Sequence, residues 1–204
     1  MILALCLALT GCKKEDPLAD MPNPVATITM ADGKTMRFEL QYRTAANTVL
    51  NFTKLANDGF YDGMDVHRVV PGVLIQAGCP KGDGTGNAGY TIKGEFEANK
   101  IENGLSHTRG VISMARLSDY NSASSQFFIM QGNYPEYDGS YAAFGTAMDE
   151  ETLYNIDQIA SQPVDGYYVP LRTQTIQSIR VNTHGYEDKL PDVVTIPLPE
   201  KEEE

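Results

Sequence analysis

The chain has 204 residues, 42% of them hydrophobic, and a formal net charge of -11. This length suits one globular domain with short appendages, because a domain typically takes about 100 to 200 residues. The acidic balance argues against a nucleic-acid partner, which would require a basic patch or stripe. Residues 187–204 hold seven acidic residues and two lysines, a composition typical of a solvated acidic tail.

The N-terminal segment MILALCLALTG, residues 1–11, is apolar but shorter than the roughly 20 residues that span a bilayer. Such a segment is typical of a signal peptide. Leu9-Thr10-Gly11-Cys12 resembles the lipobox of bacterial lipoproteins, in which the chain is cut before the cysteine and the thiol is acylated. No Lys or Arg precedes the apolar segment, so either the true start lies upstream or this copy of the signal is truncated. A buried N-terminal strand with an incidental cysteine is the alternative.

Residues 12–24, CKKEDPLADMPNP, are charged, contain prolines and lack periodicity, which indicates a lipidated tether. The KKED that follows the cysteine resembles the lysine-plus-acid signals that send some bacterial lipoproteins to the cell surface. We therefore expect a bacterial envelope protein anchored in the outer membrane through Cys12, either facing the periplasm or exposed on the surface.

The cysteines then leave no internal disulfide. Cys6 is removed with the signal, Cys12 carries lipid, and Cys79 alone remains in the mature protein. Cys79 is either a reactive thiol or, as is commoner, a small buried hydrophobe.

Strand patterns begin at Val25. The segment ATITMADGKTMRFEL alternates on both sides of Asp32-Gly33, which is the strongest short signal for a hairpin. NTVLNFTKLANDGFY then has apolar residues at helical spacing, with Asn47 as the predicted cap and Gly59 as the predicted end.

Further short strands are predicted at 66–75, 110–114, 126–130 and 141–144, separated by loops rich in Gly and Ser. DEETLYNIDQIAS fits a second helix with acids in its first turn, and TQTIQSIRVNT alternates as a closing strand. Many strands with two isolated helices predict a mainly β fold, a closed antiparallel barrel capped by two α-helices. The predicted units are a signal at 1–11, a tether at 12–24, a domain at 25–183 and an acidic tail at 184–204.

Three common kinds of site find little support. Residues 84–89 match GxGxxG, but YTIKGEF follows instead of the helix that dinucleotide binding requires, so these glycines are predicted to shape a tight loop. The three histidines are far apart, without the spacing of a metal site, and no GxSxG elbow is present. We expect no metal and no cofactor.

Five segments together resemble one family: VHRVVPGVLIQAG, GDGTGNAGYTIKGEF, HTRGVISMA, SSQFFI and YDGSYAAFG. Their order and approximate spacing are similar to those of the cyclophilin-type peptidyl-prolyl isomerases, over residues 25 to 183. The resemblance implies a closed eight-stranded antiparallel barrel capped by two helices. It also implies an enzyme that accelerates cis-trans isomerisation of X-Pro bonds in unfolded or flexible polypeptides.

The resemblance assigns roles to individual residues. Arg68 is the catalytic cation, Gln126 helps to hold arginine and substrate, and Gln76 supports the arginine. Ala115 and Arg116 match the pair whose backbone meets the peptide before the proline, and Gly86 borders the neighbouring subsite. The remaining predicted substrate-binding residues, five of which line the proline pocket, are His67, Val73, Leu74, Phe128, Tyr137 and Tyr141.

Four positions depart from the family pattern. Val73 stands where phenylalanine is usual, Tyr141 where many members have histidine, and Arg116 where asparagine is common. Glu136 falls where cyclosporin-sensitive members carry tryptophan, which predicts weak cyclosporin binding. Losing an aromatic wall at Val73 predicts a looser proline pocket and weaker turnover.

The leading hypothesis is a monomeric, lipid-anchored isomerase that acts during folding of envelope proteins. The first alternative is a non-catalytic peptide-binding module or holdase on the same barrel. The second is a structural envelope protein whose tethered domain and acidic tail dock a partner.

Overall fold

A computed structural model of the chain describes residue 18 and residues 20–199. The predicted signal peptide and Cys12 lie outside the described residues. Leu18 and Met21, within the predicted tether, are buried in the main hydrophobic core. No helix in the described part of the chain is long and apolar enough to cross a membrane.

The protein is mainly β, with two α-helices. The helices are α1 (Ala46–Asn57) and α2 (Glu150–Ala160). The strands are β1 (Val25–Met30), β2 (Thr35–Leu40), β3 (Arg68–Val70), β4 (Leu74–Ala77), β5 (Tyr90–Thr91), β6 (Val111–Met114), β7 (Phe127–Met130), β8 (Ala143–Ala147), β9 (Ile176–Asn182) and β10 (Ile196–Pro197). Eight of them form one antiparallel sheet in the order β3-β4-β7-β6-β8-β2-β1-β9, and β10 pairs with β5 separately.

The sheet is an open half-barrel, so the predicted closed barrel is wrong. Its edge strands β3 and β9 are not paired with each other. The chain ahead of β3 meets the start of β9 instead: the Val66 N–H donates to the Gln174 carbonyl at 2.9 Å, and the Ile176 N–H donates to the Met64 carbonyl at 2.8 Å. On the outer edge of β3, the Val69 N–H donates instead to the carbonyl of Tyr168 at 2.8 Å. Because a loop takes this bond and β3 has only three residues, the ladder that would close the barrel does not form.

The predicted hairpin at Asp32-Gly33 is confirmed. Strands β1 and β2 pair antiparallel from Val25 opposite Glu39 to Thr29 opposite Thr35. Alternation places one face of both strands in the core, with buried residues Ala26, Ile28, Met30, Met36, Phe38 and Leu40.

The first helix forms where it is predicted, but Asn47 is not its cap. The helix begins at Ala46, and the side chain of Asn47 binds the backbone of Val194. A distant carboxylate caps this end instead: Glu95 accepts from the backbone N–H of Asn47 at 3.2 Å and of Thr48 at 2.7 Å. A negative charge there also complements the helix dipole.

The other helix boundaries agree with the sequence patterns. Gly59 follows the first helix with φ +76°, and its N–H donates to Ala56, as in helix ends that need a left-handed residue. Asp149 caps α2 by accepting from the Thr152 N–H at 2.8 Å, ahead of the predicted acidic first turn.

The candidate strand at 66–75 is in fact two strands. A turn at Pro71-Gly72 separates β3 from β4 and folds them into an antiparallel pair. Gly72 has φ +81°, a conformation that residues with a Cβ disfavour. The Pro-Gly dipeptide is therefore the sequence feature that specifies this turn. The pairing puts Arg68 directly opposite Gln76.

The described part of the predicted tail, residues 184–199, is mostly exposed and includes a short 3-10 helix at Glu187–Lys189, yet it packs on the domain. Leu190 and Val193 are partly buried against the main core. Farther along, β10 pairs antiparallel with β5, with Ile196 opposite Thr91.

Candidate active site

Strand register assembles the centre of the site. Arg68 on β3 lies opposite Gln76 on β4, Gln76 lies opposite Phe128 on β7, and Phe128 lies opposite Ser113 on β6. Residues directly opposite each other share a face of the sheet. These four side chains therefore form one row, from the exposed Arg68 to the fully buried Ser113.

A chain of side-chain hydrogen bonds holds Arg68 at the exposed end of this row. Arg68 Nη1 donates to Gln76 Oε1 at 3.1 Å, and Gln76 Nε2 donates to Gln126 Oε1 at 2.9 Å. Gln126 Nε2 then donates to the carbonyls of Gly84 and Gly86 at 2.8 and 2.9 Å. The guanidinium is thus oriented while it stays in water, which avoids the cost of burying an unpaired charge.

The glycine-rich loop at residues 84–89 accepts the last hydrogen bonds of this series, through the carbonyls of Gly84 and Gly86. A Cβ at Gly86 would lie 2.9 Å from the Pro80 ring and 3.0 Å from the Lys81 nitrogen, so the loop requires glycine there. The Gly86 N–H donates to the sulfur of Cys79 at 3.2 Å, and Cys79 is buried. The loop is therefore tightly shaped, as predicted, and Cys79 belongs to its packing.

Beside this row lies a small hydrophobic cluster, separate from the main core. Its buried residues are Leu74, Val111, Phe128, Met130 and Ala143, with Val70, Val73, Leu105, Ala115, Tyr134, Tyr137 and Tyr141 packed against them. The ring of Phe128 lies edge-on to Tyr141 at 5.6 Å and to Tyr137 at 6.0 Å. The five residues predicted to line a proline pocket thus lie in one cluster.

The sequence reasoning missed Tyr134, which stacks on Tyr137 with ring centroids 6.1 Å apart. The two tyrosines flank a short 3-10 turn at Pro135–Tyr137. Their spacing of three residues is the signal that would have indicated a shared face. Glu136, between them, points to solvent and is exposed.

A second missed feature is a buried polar relay behind Phe128. His107 contacts Asp138 Oδ1 through Nδ1 at 2.9 Å and Ser113 Oγ through Nε2 at 3.0 Å. Its ring stacks on Phe128 at 6.0 Å with an interplanar angle of 19°. Because Ser113 is fully buried, this arrangement fixes the back of the aromatic ring and does not present a nucleophile.

Arg116 and Tyr141, two of the departures from the family pattern, contact each other. The guanidinium of Arg116 lies 4.7 Å from the centroid of the Tyr141 ring, and 5.2 and 5.0 Å from those of Phe96 and Tyr120. Arg116 Nε also donates to the Ser140 carbonyl at 3.0 Å. Cation-π contacts of this kind hold the cation against the rings.

A cavity of about 790 Å³ opens next to the hydrogen-bond chain. Among its lining residues are Gln76, Gln126, Gly86, Ala115 and Arg116. The structure therefore brings these predicted residues together around one space. His67 is buried and does not line this cavity, and neither of its ring nitrogens has a hydrogen-bond partner among the described residues.

Comparison with known proteins agrees with this geometry. Residues 25–181 match the family model described as cyclophilin type peptidyl-prolyl cis-trans isomerase/CLD.

The chain belongs to the cyclophilin-type peptidyl-prolyl isomerase family.

Individual relatives show the same likeness. The chain is 47% identical over 116 residues to peptidyl-prolyl cis-trans isomerase B of Bacillus subtilis (strain 168), covering 57% of this chain and 78% of that protein. It is 40% identical over 146 residues to a peptidyl-prolyl cis-trans isomerase of Helicobacter pylori (strain ATCC 700392 / 26695), covering 72% and 85%.

A solved structure shows the likeness in three dimensions. The structure of a Cryptosporidium parvum cyclophilin type peptidyl-prolyl cis-trans isomerase, crystallised in the presence of the dipeptide Ala-Pro, matches with a TM-score of 0.67 and 29% identity. The match covers 78% of this chain and 98% of that one. Isomerase function follows from this membership and from the relatives that carry that name.

Two buried histidines predict that the stability of this cyclophilin-type domain depends on pH. Burial lowers the pKa of His67 below its ordinary value of 6.5, and the nearby charge of Arg68 lowers it further. Burial also lowers the pKa of His107, although the contact with Asp138 opposes that change. Both rings are therefore neutral in the folded protein at pH 7.

We expect the free energy of unfolding to fall as pH falls from 7 to 5. Between pH 7 and 5 these histidines become protonated in the unfolded chain but stay neutral in the folded protein. Each histidine therefore lowers the free energy of unfolding by at most about 1.4 kcal/mol per pH unit. Urea unfolding at several pH values measures this slope. The double variant His67→Gln/His107→Gln should flatten it, whereas His184→Gln, at an exposed position, should not. An unchanged slope in the double variant would contradict the assignment.

Proposed function

We propose that the protein accelerates X-Pro isomerisation in unfolded or flexible segments of envelope proteins, with Arg68 as its catalytic residue. The observation that carries the proposal is the hydrogen-bond chain from Arg68 through Gln76 to Gln126, which fixes an exposed cation beside an aromatic pocket. Membership of the isomerase family supports the reaction class, and the crystallised relative with Ala-Pro supports a proline-containing ligand.

The chemistry needs little more than this cation. Resonance in the amide sets a barrier of about 18 to 20 kcal/mol for rotation of the X-Pro bond. Twisting the bond towards 90° breaks that resonance and makes the proline nitrogen more basic. A guanidinium aimed at the prolyl nitrogen and carbonyl interacts more strongly with the twisted state than with either planar form, which lowers the barrier.

The aromatic cluster beside Arg68 supplies the grip on the substrate. A proline ring placed against this cluster would pack on the surface formed by Phe128, Tyr137 and Tyr141, whose rings contact one another edge-on. Burial of apolar surface favours this placement at about 25 cal/mol per Å². Val73 leaves one side of the pocket aliphatic, so we expect the ring to be held less tightly than an aromatic wall would hold it.

The alternative function is a peptide-binding module or holdase without catalysis. A holdase needs the apolar pocket but does not need hydrogen bonds that orient one guanidinium. The bonds from Arg68 through Gln76 to Gln126 therefore favour catalysis over simple binding. The structural alternative, in which the acidic tail docks a partner, predicts that deleting residues 187–204 abolishes the biological role while Arg68→Ala leaves it intact.

We expect Arg68→Ala to lower kcat/KM on a short Ala-Pro peptide by about 100-fold, since removal of one preorganised donor to a transition state costs about that much. A protease-coupled or exchange NMR assay measures the rate. Arg37→Ala is the matched control, because Arg37 is a half-exposed guanidinium on β2, and four strands lie between β2 and β3 in the sheet. Arg68→Lys should restore only part of the activity, because an ammonium lacks the planar fork.

The outcomes separate the functions. A wild-type rate equal to the uncatalysed one would contradict isomerase activity and favour the holdase. Equal catalysis by wild type and Arg68→Ala would leave the isomerase intact and contradict the role of Arg68.

We further propose that the protein is a lipoprotein of the bacterial cell envelope, anchored in the outer membrane through Cys12. The support is the sequence alone: an apolar segment of 11 residues is followed directly by Cys12, in the order Leu9-Thr10-Gly11-Cys12. An anchored isomerase would meet client chains as they emerge in the envelope, where prolyl isomerisation is slow without a catalyst.

Cys12→Ser should abolish incorporation of a labelled fatty acid and release the protein from the membrane fraction. Cys6→Ser, in the segment predicted to be removed, is the control and should change neither result. Both are read from metabolic labelling and fractionation of cells that express the full chain. Labelling that persists in Cys12→Ser would contradict the anchor.

A further inference from the structure

The segment after β9 lies outside the family match, which ends at residue 181, yet it reaches the active-site cavity. Residues 196–199, Ile-Pro-Leu-Pro, line the same cavity of about 790 Å³ as Gln76, Gln126 and Arg116. This segment is therefore an addition to the shared fold that contributes directly to the site.

Several contacts hold the segment in place. The side chain of Asn47 donates to the carbonyl of Val194 at 2.9 Å and accepts from its N–H at 2.8 Å. Strand β10 then pairs with β5, so Ile196 lies opposite Thr91. Upstream, Leu190 and Val193 pack against the main core. Because side-chain bonds, strand pairing and apolar packing all act on this stretch, it forms a fixed wall.

The wall is apolar where it meets the cavity. Ile196 and Leu198 are 37% and 38% exposed, so each keeps apolar surface available to a ligand. The other lining residues include Ala115 and Arg116, which by resemblance meet the peptide before the proline. A substrate whose proline lies at Phe128 would direct its preceding residues into this cavity and towards the wall.

We propose that residues 196–199 form a specificity-determining wall, which selects apolar side chains in the residues that precede the substrate proline. This inference rests on the proposed function, because it deepens the description of the same site. The segment does not act as a bound substrate. Although it contains Pro197 and Pro199, the cavity that it lines is open, and Phe128 and Tyr137 are not among the described residues that line it.

Binding of short peptides tests the wall separately from catalysis. A series of Ala-Pro peptides carries either leucine or serine at the second, third or fourth position before the proline. Dissociation constants are measured by NMR titration of the full chain, and kcat/KM is measured on the same peptides. We expect the wild type to bind the leucine peptide about fivefold more tightly at one position or more, as burial of roughly 40 Å² of apolar surface would give.

The double variant Ile196→Ser/Leu198→Ser should lose this preference. Tyr154→Ser is the matched control, since Tyr154 is an apolar side chain 60% exposed on α2, and it should keep the preference. Asn47→Ala, which removes the two bonds to Val194, should weaken the preference through displacement of the segment. Thermal unfolding confirms that each variant is folded before its binding is compared.

An unchanged preference in the double variant, or none in the wild type, would overturn the wall. Tighter binding of every peptide by the double variant would show that the segment obstructs the cavity, and would overturn it as well. A leucine preference in binding without any catalysis would sustain the wall and contradict the isomerase. Catalysis without a preference for leucine peptides would support the isomerase and contradict the wall.

Discussion

Arg68 carries a charge that it never loses, and the proposed mechanism requires that charge to be held in place without being buried. The antiparallel register of β3 and β4 solves this problem by placing Gln76 directly opposite Arg68. Gln76 bonds to Gln126, and Gln126 is anchored on the carbonyls of Gly84 and Gly86. The backbone loop thus orients the exposed guanidinium through the two neutral side-chain amides of Gln76 and Gln126. Because the guanidinium stays exposed, no free energy is spent on burying an unpaired ion.

The same row explains why the pocket lies where it does. Phe128 is opposite Gln76 on the next strand, and its ring is backed by His107, which is itself fixed by Asp138 and Ser113. Cation and aromatic surface are therefore positioned by one set of strand pairings. A shift of register by one residue would move them to opposite faces and separate them.

Two of the positions that differ from the family pattern contact each other. Arg116 and Tyr141 replace two common residues, and the two side chains stack on each other. Tyr134 adds a ring to the cluster that contains Val73, which supplies aromatic surface near the position where phenylalanine is usual.

Much of the fold could be predicted from the sequence, because hairpin, helix ends and strands are encoded locally. Asp32-Gly33 indicates the first hairpin, and Gly59 and Asp149 mark helix ends through conformation and capping. The resemblance also placed the residues that the structure gathers around one cavity and one cluster.

The sequence-based predictions that were wrong concern features set by contacts between residues distant in the sequence. Asn47 looks like a cap, but Glu95, 48 residues away, takes that role. The sheet stays open because a loop takes the bond that the edge of β3 offers. The path of residues 194–197 along the cavity is set by Asn47 and β5, which no local pattern reveals.

We propose that Gln76 acts by holding Arg68, and a double-mutant cycle of these two residues measures that coupling. The four proteins are the wild type, Arg68→Ala, Gln76→Ala and the double variant, compared by kcat/KM on one Ala-Pro peptide. We expect Gln76→Ala to lower kcat/KM about tenfold when Arg68 is present and to have little effect when Arg68 is absent, a coupling of about 1.4 kcal/mol. The same loss in both backgrounds would contradict it, because Gln76 would then act independently of the guanidinium.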